Sequence, residues 1–232
     1  MRDVSREEKK YILTVPGAFS LRHALSQVLH PDPHNGPEGY IVRSVYFDTL
    51  YDTDFYQKEN GEELRKKVRL RLYDPQGQFA QLEIKQKQGP YQRKRTLRLD
   101  RQTAVQLLAG RYDALLEAPD PFALECYGIL QTQCYRPKTT VEYRRFAFVA
   151  PENEIRITFD SAIAASESEF DLFSPALNLS PVFDPFHVIL EVKYNGFLLS
   201  YLKNLLQPVG RQELSVSKYC LARATGCNYQ YK

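Results

Sequence analysis

The sequence predicts an α+β protein in which an antiparallel sheet carries a few helices, and three observations point there. Sixteen Tyr and thirteen Phe, with no Trp and one Met, weight the composition toward strand formers. Period-two alternation recurs in segment after segment, whereas helical spacing appears in only three places. At 232 residues, 43% hydrophobic and 25% charged, the chain is globular and long enough to bury an ordinary core, which excludes disordered and collagen-like classes.

The elements follow in chain order. Ser20 is a candidate N-cap for a helix with Leu21, Ala24, Leu25, Val28 and Leu29 on one stripe. His30 to Gly39, rich in Pro and Gly, reads as a loop and not as a domain linker. Strands are expected at Arg43 to Phe47, Arg65 to Tyr73, Phe79 to Lys87 and Arg93 to Leu99. A second helix starts at Asp100, buries Ala104, Val105, Leu107 and Leu108, and stops near Gly110. Three further strands, Thr139 to Val149, Glu154 to Phe159 and Val188 to Tyr194, precede a third helix over Leu198 to Leu206. With no internal repeat or linker, residues 1–232 read as a single domain.

Met1 to Lys10 is polar and lacks a signal-peptide core, and the apolar run Phe197 to Leu206 is broken by Ser200, Lys203 and Asn204. The expectation is a cytoplasmic chain with no membrane segment of its own. Cys126 and Cys134, like Cys220 and Cys227, lack the spacing of a zinc knuckle or CxxC pair, and read as buried, reduced thiols.

The net charge of +3 excludes a uniformly basic nucleic-acid coat, but it hides an asymmetry. Arg65 to Arg98 holds 11 basic residues against Asp74 and Glu83, a net of +9, and leaves 20 basic against 26 acidic residues elsewhere. Parity resolves where these charges point, because side chains alternate across a strand. Val68, Leu70 and Leu72 share one face while Lys67, Arg69, Arg71 and Tyr73 share the other. Leu82 and Ile84 oppose Glu83, Lys85 and Lys87; Ile155, Ile157 and Phe159 oppose Glu154, Arg156, Thr158 and Asp160; Leu190, Val192 and Tyr194 oppose Glu191 and Lys193. A solvated face normally mixes both signs, and a row such as Lys67, Arg69 and Arg71 is costly unless an anion or water fills the space before it. If these faces turn inward, they form a wet, positive channel suited to a polyanion.

Eight segments appear in an order that resembles a known family: EEKKYIL (Glu7 to Leu13), SVYFDT (Ser44 to Thr49), KVRLRLY (Lys67 to Tyr73), LEIKQK (Leu82 to Lys87), YRRFAF (Tyr143 to Phe148), RITFDS (Arg156 to Ser161), LEVKYNG (Leu190 to Gly196) and SVSKYCLA (Ser215 to Ala222). Together they resemble the VTC domain, the polyphosphate-polymerase domain of the vacuolar transporter chaperone complex and its bacterial relatives, within the triphosphate tunnel metalloenzyme or CYTH-like superfamily. The resemblance implies an antiparallel eight-stranded β-barrel, the tunnel, with flanking helices, basic lining residues and a divalent metal held by a glutamate. Carried over by position, Lys10, Arg69, Arg71, Lys85, Lys94, Arg145 and Arg156 correspond to the phosphate-binding cations. Glu191 corresponds to the metal ligand, with Glu8 and Glu83 as further carboxylate candidates, and Ser217 and Lys218 correspond to phosphate contacts. Lys193, on the face of Glu191, joins the substrate-binding set. The family usually has Asn where this chain has Arg144, so Arg144 and Arg145 both stay open, as do Arg93, Lys94 and Arg95.

Phosphoryl transfer asks a protein mainly for charge neutralisation and in-line positioning. Arg offers a planar fork to phosphate oxygens, Lys a compact charge, and a hard metal, Mn²⁺ or Mg²⁺, the Lewis acid. Glu191 also admits a purely structural reading as the ion-pair partner of Lys193 or Lys85. The leading expectation is a polyphosphate polymerase that passes the γ-phosphate of ATP to a growing chain and releases ADP. The alternatives are a hydrolase of inorganic or nucleoside triphosphates, and a binding module for polyphosphate or inositol phosphates. Neither a nucleic-acid motif nor a Walker sequence is present, and any membrane-protein partner is unspecified. Asp48 reads as a turn carboxylate that ends its strand.

Overall fold

Residues 6–89, 91–207 and 216–227 are described, from a computed structural model of the chain. In order they form β1 (Arg6–Thr14), α1 (Val15–Ser26), β2 (His30–Pro31), β3 (Tyr40–Asp48), α2 (Thr53–Glu59), β4 (Leu64–Leu72), β5 (Phe79–Gln88), β6 (Tyr91–Asp100), α3 (Arg101–Leu108), a 3₁₀ turn (Tyr112–Glu117), α4 (Pro121–Thr132), β7 (Arg136–Ala150), β8 (Ile155–Ser166), β9 (Ser180–Pro181), β10 (His187–Asn195), α5 (Ser200–Leu206) and α6 (Lys218–Cys227). Every pairing with a recorded register is antiparallel, and the fold is α+β. Among the described residues no helix is long and apolar enough to cross a membrane. Ser215, the first residue of the SVSKYCLA segment, lies outside the described residues, as do Met1–Ser5 and the side chain of Cys227.

Contacts group the chain into two compact units, each assembled from three segments. The first comprises Met1–Ile41, Tyr143–Ile163 and Phe183–Val216, with strand order β1-β10-β8-β7. One face of these strands is apolar: Leu13, Phe148, Ile157, Phe159, Leu190 and Val192 pack with Ala18, Leu21 and Leu25 of α1 and Leu202 of α5. The second comprises Val42–Glu142, Ala164–Val182 and Ser217–Lys232, with strand order β7-β3-β4-β5-β6. Its apolar face, with Val45, Phe47, Val68, Leu70, Leu82 and Ile84, packs against Ala104 and Leu107 of α3 and Ala123, Cys126 and Leu130 of α4. In both units the apolar face is spent on helices, which leaves the opposite face to the charged residues. Among the described residues the hydrogen-bonded order is that of the antiparallel sheet expected from the resemblance, and no ladder joins β1 to β6 to close it.

Several boundaries differ from the sequence reading for local reasons. The first helix begins earlier, because Thr14 caps it by accepting from Gly17 N at 3.3 Å and Pro16 occupies its first turn. Ser20 therefore lies inside α1 and donates its hydroxyl to the Pro16 carbonyl. The buried stripe is Ala18, Leu21, Leu25 and Leu29, while Val28 is exposed. The helix after Asp100 is as expected: the Asp100 carboxylate accepts from Thr103 N at 2.8 Å, and Gly110 follows with a φ of +79°. Val105, however, faces outward. Cys126 and Cys220 are buried, and burial pushes the Cys126 thiol up to about 12. Cys134 corrects the reading of uniformly buried thiols: it is exposed, in the tight turn after α4, with a φ of 51°.

Candidate active site

In the second unit, register stacks the charged face of β4, β5 and β6 into rows. Lys67, Lys85 and Lys94 are consecutive cross-strand partners; Arg69 pairs with Glu83, and Arg71 with Gln81. On the other side, β3 sets Tyr46 against Arg69 and Ser44 against Arg71. Glu83 is the hub. The Arg69 Nε and Nη2 atoms each lie 2.6 Å from its Oε2, Arg71 Nη1 lies 3.9 Å away, and Lys94 pairs with its other oxygen. Burial alone would raise the Glu83 carboxyl, but Arg69, Arg71 and Lys94 outweigh it and hold the group down at about 2.

The three rows Lys67–Lys85–Lys94, Arg69–Glu83–Thr96 and Arg71–Gln81–Arg98 carry six cations and one carboxylate, a formal net of +5. Cations on neighbouring strands about 4.8 Å apart repel by about 3 kcal/mol at a protein-like dielectric. Tyr46 registers the same field. Its buried phenol donates nothing to Arg69 but accepts from its Nη1 at 3.0 Å, and despite burial the cations Arg69, Arg71 and Lys67 bring it down to about 8. Tyr219 of α6 stacks on the Tyr46 ring at 5.1 Å and donates its hydroxyl to Asp48 at 2.6 Å. Asp48 also accepts from the backbone N–H groups of Thr49, Asp54 and Phe55, which makes it the structural turn carboxylate expected. Beside Tyr219, Ser217 accepts from Lys67 Nζ at 2.7 Å, and Lys218 is half-buried in the first turn of α6.

In the first unit, β1 and β10 pair Glu8 with Lys193 and Lys10 with Glu191. Glu191 is buried, its Oε1 lying 2.9 Å from Lys193 Nζ and 3.9 Å from Lys10 Nζ, and its Oε2 3.6 Å from Arg145 Nη2. Glu8 takes the other side of the same lysines, 3.0 Å from Lys10 and 3.9 Å from Lys193. Arg145 grips Asp160 with two hydrogen bonds, and these three cations and three carboxylates cancel. Burial lowers the Lys10 ammonium, but Glu191 and Glu8 outweigh it and raise it overall.

The loop before β3, expected only as a connection, does much of the positioning here. Gly39, at a φ of +87°, passes so close to β7 that a Cβ would come within 2.1 Å of the Arg145 carbonyl oxygen. The Asn35 side chain brackets Ala147 through both its N–H and C=O. Arg156 Nη2 reaches Asp32 Oδ2 at 2.5 Å and Tyr40 Oη at 2.9 Å. Arg145 is thus the buried member of its pair, whereas Arg144 is exposed and lies 3.5 Å from Glu38. On β6, Lys94 reaches Glu83 while Arg95 turns the other way to Glu125.

The structure therefore brings together two sets of the residues named from sequence: Arg69, Arg71, Lys85, Lys94, Glu83 and Ser217 in one unit, and Glu8, Lys10, Arg145, Arg156, Glu191 and Lys193 in the other. Sequence reasoning missed Asp32, Tyr40, Tyr46 and Thr158. Thr158 faces Glu191 across the β8–β10 ladder, and its hydroxyl oxygen is buried without a hydrogen-bond partner. Among the described residues, no three His, Cys, Asp or Glu side chains cluster as a self-sufficient metal site. Glu191 and Glu8 with the orphaned Thr158 hydroxyl supply hard oxygen donors, a partial set that fits a small divalent cation completed by phosphate oxygens. Glu83 has no second carboxylate opposite it; its row partners are Arg69 and Thr96.

Among solved structures, a candidate adenylate cyclase from Bacillus halodurans is similar over 92% of this chain and 95% of its own, with a TM-score of 0.51 at 14% identity. The PH1819 protein of Pyrococcus horikoshii matches over 94% and 99% at 10% identity with a TM-score of 0.47, and a conserved hypothetical protein of Pyrococcus furiosus over 92% and 96% at 9% identity with 0.41. Curated proteins yield no sequence match. The first of these structures supports the fold alone. The VTC domain family model matches residues 5–226, nearly the whole sequence, and with the cation rows and the Glu191 cluster in view, the chain belongs to the VTC domain family.

Proposed function

We propose that the chain is a metal-dependent polyphosphate polymerase that transfers the γ-phosphate of ATP to a growing polyphosphate and releases ADP, with residues 1–232 acting as one tunnel domain in the cytoplasm. The observation that supports this reading is the face around Glu83, whose rows set six cations against one carboxylate. Such an excess neutralises a triphosphate, and Arg69, fixed by Glu83 and Tyr46, presents its fork without further ordering.

In the transfer, a terminal oxygen of the acceptor phosphate attacks the γ-phosphorus in line. The bond to the β–γ bridging oxygen breaks, and ADP leaves with that electron pair. Arg69, Arg71, Lys85 and Lys94 bear on the phosphoryl oxygens, and Lys10, Arg145 and Arg156 stabilise the charge that accumulates. Lys193, Ser217 and Lys218 bind substrate phosphates. Glu191, with Glu8, would hold Mn²⁺ or Mg²⁺, which when bound supplies Lewis-acid polarisation of a phosphoryl oxygen. Since the Glu191 cluster is already neutral, its carboxylates favour a cation that arrives chelated by phosphate.

The test is incubation of the purified chain with ATP and Mn²⁺ or Mg²⁺, resolving ADP, free phosphate and polymer. ADP with polymer is expected. ADP with free phosphate alone identifies a hydrolase, and tight polyphosphate binding without turnover identifies a binding module.

A further inference from the structure

Arg156, on the charged face of β8 and opposite Lys193 of β10, is held by one nitrogen. Among the described residues its side chain has two polar partners, the Asp32 carboxylate at 2.5 Å and the Tyr40 hydroxyl at 2.9 Å, and both sit on Nη2. That nitrogen carries two N–H groups, so the pair engages both and leaves the donors of Nε and Nη1. The loop that brings Asp32 and Tyr40 here is pinned to β7 independently of Arg156. His30 and Pro31 pair with Val149 and Phe148, Asp32 N donates to the Ala147 carbonyl at 2.9 Å, and the Asn35 side chain donates to that carbonyl at 2.7 Å and accepts from Ala147 N at 3.1 Å. Asp32 is buried, and its Oδ1 accepts from His34 N at 3.0 Å and faces His34 Nδ1 at 2.9 Å, which leaves Oδ2 to Arg156. Burial alone would raise the Asp32 carboxyl, but His34 and then Arg156 outweigh it and hold the group below the ordinary range. The Arg156 side chain is 36% exposed, so the carboxylate is the fixed member of the pair and the guanidinium the one it aims. A carboxylate beside a phosphate site opposes anion binding by its charge, so what Asp32 gives Arg156 is direction and not affinity.

We propose that Asp32 and Tyr40 are positioning residues for phosphoryl transfer, holding Arg156 by Nη2 so that Nε and Nη1 meet the oxygens of the transferring phosphoryl group. This rests on the polymerase reading above and deepens it by naming what orients one of its cations. A guanidinium that swings on its long side chain still attracts phosphate, but it stabilises the transition state only where its N–H groups lie on the accumulating charge. The same geometry narrows what Arg156 does. With both Nη2 hydrogens engaged, a two-nitrogen fork that includes Nη2 is closed to the substrate, and the contacts fall to the N–H groups of Nε and Nη1.

The experiment measures ADP release from ATP with Mn²⁺ by the full-length chain, in a cycle of Asp32→Asn, Arg156→Gln and the double variant, with melting curves to give the folded fraction. Asp32→Asn is expected to lower kcat per folded molecule about tenfold with KM unchanged or lower, and Arg156→Gln to lower it about a hundredfold. The double variant should be no slower than Arg156→Gln alone, because Asp32 acts through that guanidinium. Inorganic triphosphate, titrated by calorimetry, should bind Asp32→Asn at least as tightly as wild type. Tyr40→Phe keeps the ring and removes one of the two Nη2 acceptors, so kcat should fall about threefold, again with no further loss beside Arg156→Gln. Where Asp32→Asn melts too low to assay, Tyr40→Phe carries the same cycle. A purely structural ion pair gives a lower melting temperature with kcat per folded molecule unchanged, and that result overturns the proposal. So does a loss that multiplies in full with that of Arg156→Gln, or a raised KM at constant kcat. A wild-type chain that releases no ADP overturns the polymerase reading itself, whereas a failed cycle in an active wild type overturns the positioning role alone.

Discussion

Arg145 and Asp160 form a buried bidentate pair, Nε to Oδ1 at 2.7 Å and Nη2 to Oδ2 at 2.8 Å, and the same Nη2 lies 3.6 Å from Glu191. Burial opposes the charge on Arg145, yet Asp160, with help from Glu191, raises its pKa well above the ordinary value. Removing the charge of Asp160 leaves this guanidinium without its main partner. Asp160→Asn should cost about 3 kcal/mol, seen as a clear drop in melting temperature. Arg144→Ala, at an exposed site, should stay within about 0.5 kcal/mol of wild type. A melt that ranks the two the other way round would show that the neighbour, not Arg145, is the structural member of the pair.

Parity carried most of the charged faces, because it needs only the order of residues along one strand. Lys67, Arg69 and Arg71 do lie opposite the fully buried Val68 and Leu70, and Glu191 and Lys193 share a face 2.9 Å apart. Partner choice across strands depends on register, which the sequence does not display, so the Glu83 hub and the Arg145–Asp160 pair emerge only from the fold. β1 was overlooked as a strand because its alternation is masked by charge: Glu8 and Lys10 face one side, but Lys9 accompanies Tyr11 and Leu13 on the other. Helix α4 did carry a signal, Asp120 accepting from Phe122 N ahead of Pro121, with Ala123, Cys126 and Leu130 buried at helical spacing. The role of Asp32 had none, since it comes from a loop folding back onto Arg156.

Tyr46 should titrate early. Its folded pKa, about 8, lies below the ordinary value of 10, so the phenolate is favoured by folding. Its contribution to stability is full above pH 10 and is lost as pH falls through 8. Phenolate absorbance should show one tyrosine with a midpoint near 8, well ahead of Tyr135 and Tyr219, whose phenols burial and nearby carboxylates raise. Arg69→Gln should move that midpoint up, and so should bound triphosphate, which neutralises the same cations. A midpoint unmoved by either would mean that the field at Tyr46 does not come from this face.

Thr158 offers a separation of stability from binding. Its hydroxyl is buried and unpartnered opposite Glu191, so Thr158→Val removes an unsatisfied polar atom while keeping the branched shape. Melting should be unchanged or higher, by about 1 kcal/mol. Affinity for Mn²⁺ with triphosphate, read by calorimetry, should fall severalfold if the hydroxyl contributes to the Glu191 donor set. A destabilised variant with unaltered affinity would assign Thr158 to packing alone.

Glu191 and Lys193 should part company when each is changed. Glu191 offsets Lys10, Lys193 and Arg145 in a cluster that is neutral only with its carboxylate counted, so Glu191→Gln keeps the shape and leaves a net positive charge. Triphosphate without metal should then bind at least as tightly as to wild type. ADP release should drop a hundredfold or more, because an amide is a poor ligand for a hard divalent cation. Lys193→Met removes the ammonium nearest to Glu191 Oε1, and its effect should appear first as weaker triphosphate binding, with metal dependence retained. Calorimetry with and without Mn²⁺, run beside the ADP assay, reads both quantities on the same samples. Normal metal-dependent turnover in Glu191→Gln would move the essential carboxylate away from Glu191, and Glu8, which shares Lys10 and Lys193 with it, is the next position to change.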